Sequence, residues 1–333
     1  MNTPRCTMML TLAGAGLVLA ACSQQTSAPA SSSTSAAATT VATATTAGDA
    51  AAGSTASAAE SGPAVTFTPP PESAIPDNEF GAMVRKGERI FTDTHKYAAK
   101  YTGNGLDCSN CHLDAGRRAN SAPMWAAYVR YPRYRSKNDK VNSFTERLQG
   151  CFKFSMNGKA PPPDSEVIKA LTTYAYWLAT NAPTGKDLPG FGYPKQGYTP
   201  PATPDYARGK TVYESHCALC HGNDGQGQKV AGAYVFPPLW GPDSFNWGAG
   251  MHQLNNAAAF IKANMPLSRG GTLSDQQAWD VAMYMDSHER PQDPRYNGDL
   301  AATRKKYHDT KWSLYGKTVN GHLLGSGASE GHP

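Results

Sequence analysis

Two short strings carry the plainest chemistry in this sequence: Cys108-Ser-Asn-Cys111-His112 and Cys217-Ala-Leu-Cys220-His221. Two thiols with two residues between them can close a disulfide, bind zinc or work as a redox dithiol. The histidine that follows each pair points elsewhere. The thiols can add to the two vinyl groups of one haem, and the next imidazole then lies beneath the iron. Because the string occurs twice, we expect two covalently bound haem c groups. Cys108, Cys111, Cys217 and Cys220 would attach them, with His112 and His221 as iron ligands.

The sixth ligand tunes such an iron. In the second half, Met265-Pro266 lies in a loop before the last helix and resembles the distal methionine of class I cytochromes c. The Pro237-Pro238-Leu239 run fits the same family. Met265 is therefore the expected ligand, with Met251, His252, Met283 and Met285 as competitors. The first half has no loop Met-Pro pair. It has Cys151, a cysteine without an evident partner, close to Arg147, Lys153 and Ser155. A cationic setting or an iron favours a thiolate, which is both nucleophile and metal ligand. Met124 and Met156 are the rival ligands, and a buried free thiol is the blander alternative.

The elements that must position these groups follow one plan, used twice. Phe80, Met83, Val84, Gly87, Ile90 and Phe91 recur at helical spacing behind the cap candidates Asp77 and Asn78. Tyr206 to Ser215 reads as a shorter copy. Both carry a Gly, two polar residues, a β-branched residue and an aromatic: Gly87-Glu-Arg-Ile-Phe91 and Gly209-Lys-Thr-Val-Tyr213. A second helix closes each half, over 165–182 and 274–288, stopped by Pro183 and Pro291. This internal similarity marks a duplicated unit. The fold class expected is all-α, two class I cytochrome c-like domains behind a signal peptide and a disordered linker.

The chain has 333 residues, 32 Gly, 25 Pro and a formal net charge of +5. That composition favours loop-rich globular domains over long bundles. The basic residues are scattered, so no nucleic-acid arm is expected. Residues 1–21 read as a lipoprotein signal peptide ending in Leu19-Ala20-Ala21-Cys22, with Cys22 the acylated residue. Residues 22–74 form a tether rich in Ala, Ser and Thr that cannot bury a core. The expected placement is lipid-anchored on the periplasmic side of a bacterial membrane. Ser23 favours the outer one. The domains expected are 75–190, with the catalytic haem, 191–300, with the electron-transfer haem, and an extension of little periodicity over 301–333.

The stretch from Met124 to Asn138, and Glu146-Arg-Leu-Gln-Gly-Cys-Phe-Lys-Phe-Ser-Met-Asn-Gly158 after it, resemble the bacterial dihaem thiosulfate dehydrogenases. The resemblance covers roughly residues 75 to 300. It implies that Cys151 is the distal ligand of the first haem, where substrate binds, and that Arg147 and Ser155 hold the anion. It also implies a His/Met second haem that passes electrons to a cytochrome c or similar redox partner. Some members carry a Lys just before the distal Met; here that position is Asn264. The reaction implied joins two thiosulfates into tetrathionate, in a direction that varies between members. That coupling releases two electrons and no protons, so no acid–base pair is required. It does require cations, and Arg117, Arg118, Arg130, Arg133, Arg135, Lys137 and Arg147 lie between the first attachment site and Cys151. Arg147 and Arg135 are the strongest candidates among them. A dihaem electron carrier without turnover and a haem-thiolate subunit acting on a carrier protein are the competing functions.

Overall fold

A computed structural model describes residues 67–195 and 198–328. The signal peptide, Cys22 and most of the tether lie outside the described residues. None of the described helices is long and apolar enough to cross a membrane.

Helix α1 (Glu79–Thr92) begins where the Asn78 side chain accepts a bond from the Gly81 N–H at 3.0 Å. After α2 (Thr94–Tyr97) come the first attachment motif and the one-turn α3 (Leu113–Gly116), then α4 (Met124–Tyr128). A small hairpin, β1 (Arg133–Arg135) with β2 (Lys140–Asn142), leads into α5 (Phe144–Gly150). A capping box of Ser143 and Glu146 starts α5. Helix α6 (Glu166–Leu178) closes this half.

The second half repeats the plan. It has α7 (Tyr206–His216), α8 (Ala218–His221), the hairpin β3 (Gln228–Val230) and β4 (Ala233–Phe236), then α9 (Leu254–Asn264) and α10 (Asp275–Asp286). Thus both expected closing helices form, each a few residues shorter than the sequence periodicity suggests.

The repeated glycines explain the shared geometry. A Cβ on Gly87 would stand 2.1 Å from the Ala170 carbonyl oxygen, and one on Gly209 would stand 2.0 Å from that of Asp280. In each half, therefore, the first helix crosses the last with backbones in contact, which only Gly permits. The aromatics one turn on seal the crossing. Phe91 meets Tyr174 at 5.8 Å between ring centroids, and Tyr213 meets Tyr284 at 5.2 Å. Val84, Ile90, Ile168, Leu171 and Leu178 fill the first core; Ala257, Ile261, Ala278, Val281 and Met285 fill the second. Burying each of the larger aliphatic side chains contributes roughly 1.5–3 kcal/mol.

The halves are stitched together along the loop from Ser244 to Gly250. Asn104 Nδ2 donates to the carbonyls of Ser155 (2.9 Å) and Ser244 (3.0 Å). Phe245 and Ala249 belong to the first core, while Leu113 belongs to the second. The C-terminal extension also packs. Helix α11 (Leu300–Tyr307) and the hairpin β5 (Thr318–Val319) with β6 (His322–Leu323) bring Leu314, Tyr315 and Leu324 into the second core.

Candidate haem sites and the Cys151 pocket

Each motif histidine is oriented by a backbone carbonyl. His112 Nδ1 donates to the Ala122 oxygen at 2.7 Å, and His221 Nδ1 to the Pro237 oxygen at 2.8 Å. That fixes the tautomer and leaves each Nε2 as a free lone pair, the arrangement of a metal-binding imidazole. Burial pushes His112 down to about 4 and lowers His221 as well, so both rings are neutral at pH 7.

The four motif cysteines are unpaired. Burial pushes the Cys108 and Cys111 thiols up to about 12 and Cys217 up to about 11. Among the described residues, none of them takes part in a cluster of three or more metal-ligating side chains. Disulfide and zinc are therefore poor fits. Neutral thiols beside an oriented imidazole suit thioether attachment of a haem.

The second site has the matching cavity. A cleft with a cavity volume of about 270 Å³, partly open to solvent, is lined by Cys217, Cys220 and His221 and by Met265 and Pro266. Its walls are apolar, including Phe236, Leu239, Phe260 and Ile261. The donor set and the apolar walls fit a haem. Met265 follows α9 directly, at the point where that helix ends. Met251 and Met285 also line the cleft; His252 does not. Instead His252 Nε2 faces His308 Nδ1 at 3.2 Å in a buried pair. Met124 and Met156 are buried in the first core. Leu106 and Cys111 of the first half reach the wall of this cleft, so the two attachment sites adjoin.

Cys151 opens a single π turn, Cys151–Ser155, that continues α5. The Met156 N–H donates to the Cys151 carbonyl at 3.0 Å, a five-residue step. Such turns are frequent at functional sites because they re-aim side chains. Arg147 lies one helical turn before Cys151, on the same face. Its Nη1 donates to the Cys151 sulfur at 2.7 Å, and that sulfur is the first cause raising the guanidinium's pKa above its ordinary value. Ser155 closes the same π turn, and its carbonyl is fixed by Asn104.

The structure sorts the basic residues. Arg135 is half-buried, its charge disfavoured first by burial and then by Arg147, and Cys151 lies within reach of its field. Arg117 is engaged elsewhere, donating to the Pro70 carbonyl at 2.6 Å and lying over Trp177. Arg130 pairs with Asp187 and stacks on Phe191.

Three further residues complete the pocket. Lys137 is half-buried and donates to the Gly248 carbonyl. Asn246 bonds the π turn through its N–H to Phe154 (3.2 Å) and through Nδ2 to the Lys153 carbonyl (3.0 Å). Arg295, far away in sequence, lies over the Phe154 ring at 4.9 Å. Lys137 belongs to the cluster visible in the sequence. Nothing in the sequence marks Asn246 or Arg295.

Comparison with known proteins gives the family. A family model described as SoxA/TsdA, cytochrome c domain, matches residues 94–183, and one described as cytochrome c oxidase, cbb3-type, subunit III, matches residues 204–285. A thiosulfate dehydrogenase of Stutzerimonas stutzeri (strain A1501) is 61% identical over 263 residues, 78% of this chain and 85% of the relative. Another, of Thiomonas intermedia (strain K12), is 61% identical over 264 residues, 79% and 84% of the two chains. A solved thiosulfate dehydrogenase (TsdBA) from Marichromatium purpuratum, in its as-isolated form, is 49% identical with a TM-score of 0.76. That match covers 80% of this chain and 59% of the solved one. With two cytochrome c domains, and relatives of this identity along most of its length, the chain belongs to the thiosulfate dehydrogenase family.

Proposed function

We propose that this chain oxidises two thiosulfates to tetrathionate at Cys151, and that electrons leave through the second haem site. The observation that carries the reading is the Arg147 guanidinium 2.7 Å from the Cys151 sulfur, in a chain of this family. A cation there stabilises negative charge on the sulfur and offers N–H donors to a sulfonate.

His112 and Cys151 would hold the first haem iron, and His221 and Met265 the second. When bound, the haems supply one-electron acceptors for the two electrons released. The chain's own part is nucleophilic. The Cys151 sulfur, as thiolate, bonds to the outer sulfur of one thiosulfate as two electrons depart, leaving a Cys–S–S–SO₃⁻ adduct. The outer sulfur of a second thiosulfate attacks the middle sulfur of the adduct, the one bonded to both Cys151 and the sulfonate, so that the bond to Cys151 breaks and tetrathionate leaves with the thiolate restored. Arg147 and Ser155 hold the sulfonate of the first anion, and Arg135 adds positive field. No proton is transferred at any stage, in keeping with a pocket rich in arginine.

The test is thiosulfate-dependent ferricyanide reduction by the holoprotein. We expect tetrathionate at half the thiosulfate consumed. Cys151→Gly should abolish turnover while both haems stay attached; near-normal turnover in that variant would exclude the scheme. We also propose that Cys22 carries a lipid anchor on the periplasmic side of the membrane. Cys22→Ala should then release the protein into the soluble periplasmic fraction.

A further inference from the structure

Coupling two thiosulfates brings two dianions to one pocket, and Arg147 can grip one of them. The structure holds a second set of donors, contributed by the far end of the chain. Arg295 lies beyond the last helix of the second domain, yet its guanidinium sits 4.9 Å from the centroid of Phe154, inside the π turn that begins at Cys151. The Lys137 ammonium lies 4.5 Å from the same ring. Of the charged groups around Lys137, Arg295 bears on it most strongly, followed by Arg147 and Arg135. Lys137 and Arg295 therefore share the Phe154 ring, within the π turn that Cys151 begins, while Arg147 bears on the sulfur itself. Asp293 is the carboxylate that faces them.

Arg295 is held rigidly. Its Nε and Nη2 make a paired bond to Asp293 at 2.9 and 2.6 Å, and its plane lies 4.1 Å from the Tyr307 ring of α11. Asp293 is itself fixed by His308 Nε2 at 2.9 Å. The guanidinium is 14% exposed, and its Nη1 makes no hydrogen bond among the described residues. A planar cation with one edge anchored on a carboxylate, its faces against aromatic rings and one nitrogen free is suited to donating to a sulfonate.

We infer that Arg295, beside Lys137, holds the second thiosulfate while Arg147 holds the first. This rests on the reaction proposed above and adds a specific subsite to it. It also gives the C-terminal extension a task, since His308 and Tyr307 fix the group that fixes the substrate.

The test is thiosulfate binding to the fully reduced holoprotein, which cannot accept electrons and so binds without turnover. Calorimetry should find two anions per wild-type chain. Arg295→Gln should keep one at wild-type affinity and weaken the other about tenfold or more. Arg295→Lys, which keeps the charge and loses the fork, should weaken the same site only severalfold. Haem spectra should be unchanged in both variants; the thermal midpoint should fall in Arg295→Gln, because buried Asp293 loses its paired partner, but a purely structural strut would leave both the stoichiometry and the anion affinities alone. One anion per wild-type chain, or two of unchanged affinity in Arg295→Gln, would overturn the inference. Failure of the oxidised wild type to form tetrathionate would instead remove the proposed reaction, and the binding result would still be read separately.

Discussion

At the scale of the residue, the pocket is governed by crowding of like charge. Lys137 lies half-buried near Arg295, Arg147 and Arg135, with Asp293 as the opposing carboxylate and His252 and His308 nearby. Burial, and then these cations, push the Lys137 amine down to about 7. Its ammonium is therefore about half-formed near pH 7, filling as pH falls and lost as pH rises. The two histidines are driven toward their neutral forms by burial, so Lys137 is the group that titrates in this window. Steady-state rates should accordingly show the half-saturating thiosulfate concentration rising as pH increases through about 7. Lys137→Met should flatten that dependence at the high-pH value. A pH profile identical to wild type in the variant would assign the effect to another group. The sequence places Lys137 within a cationic cluster but gives no hint of its depressed pKa, which comes from burial under Gly248 in the other half of the chain.

At the scale of the element, the two helix crossings make opposite demands on glycine from those of an isolated helix. Replacing Gly by Ala inside a helix gains roughly 0.5–1 kcal/mol through backbone entropy. At Gly87 that gain meets a Cβ only 2.1 Å from the Ala170 oxygen. Overpacking of this kind costs typically 1–3 kcal/mol and more against rigid backbone, so the clash wins. Gly87→Ala and Gly209→Ala should both lower the thermal midpoint. Gly150, at the end of α5, is the control, because nothing lies within 4 Å of its added Cβ. Gly150→Ala should leave the midpoint unchanged or raise it. The repeated Gly-x-x-β-branched-aromatic string made the duplication legible in the sequence, but the close crossing itself joins residues far apart in the chain and only the fold shows it. The π turn was not legible either. It differs from the α-helix before it by a single hydrogen-bond step, and the residues Phe-Lys-Phe-Ser fit either form.

At the scale of the whole molecule, an apolar cleft lined by His221 and Met265 opens within the second domain. Small Gly-rich domains bury too little surface to afford such an opening without a ligand in it. Protein made without haem attachment should therefore lack fixed packing. We expect bound hydrophobic dye, weak near-ultraviolet circular dichroism and no cooperative melting transition. A cooperative transition matching that of the holoprotein would show instead that the two cores stand without their cofactors. The loop from Ser244 to Gly250 joins the halves at the π turn, so this loss should affect both domains together.

The sequence alone determined whatever depends on neighbours along the chain. The attachment motifs, the capped helices, the duplicated plan and the Arg147–Cys151 pair all arise from spacings within one or two helical turns, where geometry is fixed by the backbone. The tertiary structure decided which distant groups share a pocket. It removed His252 from the cleft by pairing it with His308, turned Arg117 and Arg130 toward other partners, and brought Arg295 to Phe154. Such contacts have no periodic signature, because they are set by how the two halves and the C-terminal extension close on one another, and that closure is driven by burial rather than by any local preference of the residues that meet.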